Sequence, residues 1–467
     1  MSDDAGLTEI YERWASLFDP ETFRSVPPPV GGDGESDDRR AHLREFLAMG
    51  VEGHRTRELQ DRALAVEATT MVAVQGKEMP FRQLPIEIRK EPDRDRRAAL
   101  EDSRRRVVAE KLNPIHADVV ARYHAVAEEL TGLTYEAYCA GLARLDFDDL
   151  ESRTEAFLAE TADAHRELLE WYARRALGSV PDDLATHDLQ RLLYGEEYRK
   201  LFPDSDMVPR IRRVVSRMGF DPLAGGRIEL DVEERPKKSP RAFCAAIRVP
   251  EEVKLVLQPH GGLDDYVAFL HELGHALHFA HVDAALPVES RRLGDNAVTE
   301  SYAFTFDHLM LLPEFLRDLV EIERAEDYLR FVALREIVIV RRYCAKFHYE
   351  RSLHGQGLDP ARAEEYAERL QAATGARTAM EYWLDDVDPH FYCVRYLRAW
   401  MFAGALHQAL RDRFDSDWFR NPRTGPFLAD LWALGQSRPL EALARERLGL
   451  ERLDFEPLLE MIHERTG

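Results

Sequence analysis

The chain has 467 residues, enough to bury a large core and by length alone to hold two or three domains. It is 45% hydrophobic and 32% charged, as soluble globular proteins are, and no apolar run reaches the roughly 18 residues of a membrane span. A net charge of −22 argues against a nucleic-acid partner, because binding a polyanion depends on cationic surface to displace counterions. Met1-Ser2-Asp3-Asp4 lacks the basic start of a signal peptide, and the four cysteines, Cys139, Cys244, Cys344 and Cys393, form no C-x-x-C pair. A reducing cytoplasm is the expected home, and a membrane partner is not expected.

Helices are predicted over most of the first 220 residues. Leu7, Ile10, Tyr11, Trp14 and Leu17 recur at helical spacing in one amphipathic helix over residues 1 to about 25. Ser36 reads as the cap of a long helical stretch through the forties to the seventies, and Leu84-Pro85 breaks that pattern. A further long helix from about Asp93 to Glu129 is kinked or divided at Asn113-Pro114. Helical periodicity continues from Asp149 to Ala176, then at about 183–200 and 206–218. The segment from Phe220-Asp221-Pro222 to Gly225-Gly226 is a strong turn signal, and three strands follow: Arg227–Val232, Ala242–Val249 and Val253–Leu257. These are the only strands expected, and they form a small sheet. Helices resume at about 264–281, 298–307, 325–352 and 360–374. The fold class is therefore mainly α, with an N-terminal helical lobe over residues 1–220 and a second region over 221–467.

That second region carries His271-Glu272-Leu273-Gly274-His275, in an apolar segment from about Asp264 to His281. Tyr266, Leu270, Leu273 and Leu277 keep helical spacing, and acidic residues occupy the first turn. In a helix, residues i and i+4 share a face, so His271 and His275 can turn imidazole nitrogens toward one tetrahedral zinc. Glu272 sits one residue round, where a carboxylate can accept a proton from water without occupying a coordination position. A third ligand decides the class. His281 stands six residues after His275, the place of the third histidine in H-E-x-x-H-x-x-G-x-x-H enzymes, but the glycine that turns such chains is here His278, so the helix should continue and His281 should face elsewhere. Glu300 is the alternative, in the apolar helical stretch Val298 to Asp307. Asp307 lies two turns beyond it on the same side, placed to orient a ligand histidine. Two histidines and one glutamate leave a fourth position open, as a catalytic zinc requires.

The same stretch, with a glutamate 25 residues after the second histidine, resembles the thimet oligopeptidase and oligoendopeptidase F group of zinc peptidases. Ala242-Phe243-Cys244 is similar to that group's segment before the central strand, Pro389-His390-Phe391-Tyr392 to the opening of its C-terminal active-site helix, and Gly435 to Pro439 to its closing Gly-x-Ser-x-x-Pro. The resemblance covers residues from about 236 to the end. It implies two helical lobes around a deep substrate channel with a small β-sheet beside the zinc helix. It also implies one zinc per chain on His271, His275 and Glu300, Glu272 as general base and then acid, and short unstructured oligopeptides as substrates. His390 and Tyr396 are carried over as donors to the carbonyl oxygen in the transition state. Where the group has a second tyrosine, two residues after the position of Tyr396, this chain has Arg398, which could donate in its place. A carboxypeptidase-type exopeptidase using Arg395 or Arg398 as its terminal clamp, and a non-catalytic helical metal-binding protein, are the other readings.

Overall fold

The computed structural model describes the chain apart from residues 1–6, 31–33, 179, 181–182, 236–237, 239–241, 321, 323–324 and 467. Apolar positions at helical spacing become helices over most of its length, and the fold is mainly α. The elements used below are, in chain order, α1 (Glu35–Thr69), β1 (Met71–Val74), β2 (Lys77–Pro80), α2 (Arg94–Val107), α3 (Asn113–Thr131), β3 (Ile228–Asp231), β4 (Phe243–Arg248), β5 (Glu252–Val256), α4 (Leu263–His281), α5 (Asn296–Asp307), α6 (Ala325–Gln356), α7 (Tyr392–Phe414) and α8 (Glu456–Thr466). Among the described residues no helix is long and apolar enough to cross a membrane.

Two expectations change in the N-terminal half, and a third is met. The first stretch is two short helices, Leu7–Arg13 and Pro20–Ser25, because Asp19 caps a new start by accepting from the backbone of Glu21 and Thr22; the first six residues lie outside the description. Thr70 ends α1, and a β-hairpin follows instead of more helix. Gln75 and Gly76 both take positive φ (50° and 82°), the turn that matches strand twist, and Val72, Val74 and Met79 face the core. Asn113-Pro114 divides its helix: a π-helical segment, Val108–Leu112, runs into α3, whose first turn holds the proline where no backbone donor is needed.

The chain clusters into two compact units, each assembled from three stretches, so they do not follow the sequence border at about residue 220. One unit comprises residues 1–28, 43–194 and 341–393, and the other 29–42, 195–340 and 394–467. In the first, the hairpin and α2 pack with Tyr349, Leu353, Tyr366 and Leu370 in one apolar cluster. In the second, a three-stranded sheet in the order β3-β5-β4 has β3 parallel and β4 antiparallel to the central β5. Val253 and Leu255 of β5 are buried, whereas β4 is an edge strand with Phe243 and Ile247 exposed. Helix α4 packs on β4 and β5, and α5 packs along α4. That last contact is close because residue 274 is glycine: a Cβ there would stand 2.7 Å from Tyr302 O and Ala303 Cα.

Candidate metal centre

Helix α4 begins where Asp265 accepts from the backbone N–H of Gly261 at 2.7 Å, and it runs unbroken to His281, as the residue at 278 requires. His278 is fully buried, and burial, followed by the nearby His275, pushes its pKa down to about 3. The His281 ring turns away to its own helix, with Nδ1 at 2.8 Å from Leu277 O, and packs on Phe220 and Trp432. His271 and His275 share the opposite choice: both turn Nε2 toward Glu300 on α5, at 3.6 and 3.5 Å from the same carboxylate oxygen.

Those separations are informative. A direct ion pair closes to about 2.7–2.9 Å, whereas three ligands each about 2.0–2.1 Å from a tetrahedral zinc lie about 3.4 Å from one another. The two histidine distances to Glu300, 3.6 and 3.5 Å, are close to that edge and longer than a hydrogen bond, and all three donor atoms fall within 4.8 Å of one another. Each imidazole is also held from behind. His271 Nδ1 stands 3.1 Å from Asp307 Oδ2, and His275 Nδ1 stands 2.8 Å from Thr299 Oγ1. A ring that donates outward from Nδ1 leaves its Nε2 lone pair toward Glu300, which is the tautomer that a metal needs. The electrostatics agree. Burial opposes a charge on His271, but the Asp307 carboxylate, with Glu300 and Glu272, overrides it and raises the pKa to about 9. The site favours a positive charge, which either a proton or a divalent cation provides.

Glu272 lies on the neighbouring face of α4, half-buried and outside the convergent set. Its charge reaches Cys244 on β4, whose thiol is pushed up by burial first and by Glu272 second. Phe243, beside it, is 38% exposed and so is not a core residue.

The C-terminal residues divide. Tyr396 on α7 is half-buried, its ring 5.9 Å from Phe304, which in turn meets the His271 ring edge-on at 5.4 Å. His390 belongs to the other compact unit. Its backbone takes positive φ (57°), its N–H donates to Tyr135 Oη at 2.9 Å, and its Nε2 is 2.9 Å from Glu52, a carboxylate only 1% exposed. Arg398 does not fill the vacant tyrosine role. Its side chain, 3% exposed, forks onto Asp295 (Nη2–Oδ2 2.7 Å) and Glu441 (Nε–Oε1 2.6 Å), leaving it neither an oxyanion donor nor a clamp for a free terminus. Burial works against ionisation of Asp295, yet Arg398 holds it well below the usual carboxylate range. Asp295 in turn caps α5, accepting from Ala297 N, so Arg398 braces the start of the Glu300 helix. Gln436 braces the same turn, donating to Asp295 O at 3.2 Å and Asn296 Oδ1 at 3.0 Å, which gives the closing Gly435–Pro439 segment a structural task.

Thr299, Gly274 and the Asp295–Arg398–Glu441 network are the residues that sequence reasoning missed. Gly274 lies inside the motif and its small size was the available signal; no spacing rule links Asp295 to Arg398. No protein-family model matches the chain, and a search of curated proteins returns no match.

Proposed function

We propose that this chain is a zinc-dependent metalloendopeptidase that hydrolyses internal bonds of short, unstructured oligopeptides, with one zinc held by His271, His275 and Glu300, and that it is related to the thimet oligopeptidase and oligoendopeptidase F group. The observation that carries this reading is the convergence of both Nε2 atoms on one Glu300 oxygen, with both Nδ1 atoms engaged from behind. Zinc, when bound, supplies a Lewis acid that polarises a carbonyl and makes water more acidic. Glu272 takes the proton of the attacking water and passes it to the leaving amine nitrogen, acting first as base and then as acid. Negative charge that gathers on the former carbonyl oxygen is met by the Tyr396 hydroxyl.

The edge strand β4 offers main-chain groups to an extended peptide, which binds without regard to sequence and requires the peptide to be unfolded. An exopeptidase on this site would need a clamp for a free terminus, and the commitment of Arg398 to Asp295 and Glu441 weighs against it. The reading places the enzyme in the cytoplasm. Glu272→Gln tests it: the variant should keep stoichiometric zinc and lose about 10²–10⁴-fold in kcat. Full activity in that variant would remove Glu272 from the reaction.

A further inference from the structure

The turn that begins α5 is held by more contacts than a helix start needs. One side-chain acceptor is enough for a cap. The carboxylate of Asp295 instead takes four N–H donors: Ala297 N at 3.0 Å, Arg398 Nη1 at 3.1 Å, Arg398 Nη2 at 2.7 Å and Leu440 N at 3.2 Å. The Gln436 amide donates to the Asp295 carbonyl and to Asn296 Oδ1, and Gln436 N donates to Ser290 O at 2.8 Å. Gln436 itself is buried. The segment from Gly435 to Leu440 thus lies against residues 290–296, and so closely that two positions have to be glycine. A Cβ on Gly294 would stand 2.1 Å from Gln436 O, and one on Gly435, whose φ is 56°, would stand 2.8 Å from Ser290 O.

Stability alone does not account for this arrangement. The desolvation cost of a buried ion pair can exceed its attraction, and apolar side chains of the same volume often serve as well. What the network adds is direction. Arg398 ties the start of α5 to α7, and Gln436 and Leu440 tie it to the closing segment, one helical turn before Thr299 and Glu300. Those two residues face the histidines of α4, Thr299 Oγ1 at 2.8 Å from His275 Nδ1 and Glu300 at 3.6 and 3.5 Å from the two Nε2 atoms. Metal–ligand lengths tolerate only about 0.2 Å. A small slide or rotation of α5 along α4 would therefore move a ligand and the support of a second ligand together.

We infer that Arg398 and Gln436 are positioning residues, a clasp that fixes the first turn of α5 so that Glu300 and Thr299 meet the two histidines, and that this clasp sets the metal affinity of the site. The inference rests on the zinc-binding part of the reading above and not on cleavage. The test is the zinc Kd of the full chain, measured by competition with a chromophoric chelator. Arg398→Met and Gln436→Met remove the donors and keep unbranched side chains, and each should raise the Kd about 10–100-fold. Arg398→Lys keeps the charge without the fork and should fall between Arg398→Met and wild type. The control is Arg97→Met, which breaks a pair as deeply buried, Arg97 Nη2–Asp188 Oδ1 at 2.7 Å, in the other compact unit. It should lower the thermal midpoint and leave the zinc Kd unchanged. The visible spectrum of the cobalt(II)-loaded protein should change in the two clasp variants and not in the control. An unchanged Kd in Arg398→Met and Gln436→Met, with the fold intact by circular dichroism, would overturn the inference while leaving the ligand assignment in place, and so would an equal rise in Arg97→Met. Failure of the wild type to bind zinc would overturn both.

Discussion

Among the described residues two clusters bring potential metal ligands within 4.8 Å of one another, and their surroundings differ. His271, His275 and Glu300 converge with no lysine or arginine among them, and the Nδ1 atoms of both rings are already engaged. Glu350, Asp388 and Cys393, in the other compact unit, look comparable by composition. There, however, the buried Lys346 ammonium stands 3.0 Å from Asp388, 3.4 Å from Asp386 and 3.9 Å from Glu350, so the cation is already supplied by the chain. The other two groups are biased toward their protonated forms. Burial drives the Glu350 pKa up to about 8 against the pull of Lys346, and the Cys393 thiol, also raised by burial, donates to Glu350 at 3.2 Å. Proximity of ligand-type residues is therefore not a metal site; the difference lies in which lone pairs are left facing one another.

The sharpest way to break this comparison is to remove donors from each cluster in turn. Glu300→Ala or His275→Ala should reduce zinc content from one per chain to none by elemental analysis, whereas Glu350→Gln combined with Cys393→Ser should leave it at one. Asp307→Asn keeps the His271 ring's neighbour but loses its charge, and zinc affinity measured by competition with a chelator should fall about 10–100-fold. Gly274→Ala sets a methyl group against the backbone of Tyr302 and Ala303, which cannot yield as a flexible side chain would. The expected cost is about 1–3 kcal/mol in unfolding free energy, with weakened zinc binding as α5 moves away. The smallest effect concerns the second cluster. A carboxyl whose folded pKa lies above its ordinary 4.5 contributes stability that is complete below that pH and is lost as the pH rises toward 8. Wild-type thermal stability should therefore decline across this window, and Glu350→Gln should flatten the decline.

Much of the geometry of the candidate metal centre was legible because its signals are local. The spacing of His271 and His275, the apolar flanks of Glu300 and the two-turn step to Asp307 all follow from helical periodicity, and α4 and α5 lie close to the predicted bounds. The three strands of the sheet also fall within a residue or two of their expected limits. What escaped depends on tertiary contact. The Gln75-Gly76 turn was hidden by a helix-compatible run on its N-terminal side, and the two compact units exchange stretches of chain that composition does not mark. Arg398 was read as a substitute donor from its position in a motif, yet its partners, Asp295 and Glu441, are 103 and 43 residues away. A buried arginine is defined by its acceptors, and a one-dimensional pattern does not name them.

The most direct test of the central claim is mass spectrometry of a peptide library with both termini blocked, incubated with zinc-loaded protein and with a chelated control. Internal cuts that disappear with the chelator are the expected result. Intact blocked peptides alongside stepwise loss of terminal residues from free ones, or no zinc-dependent cleavage at all, would contradict it.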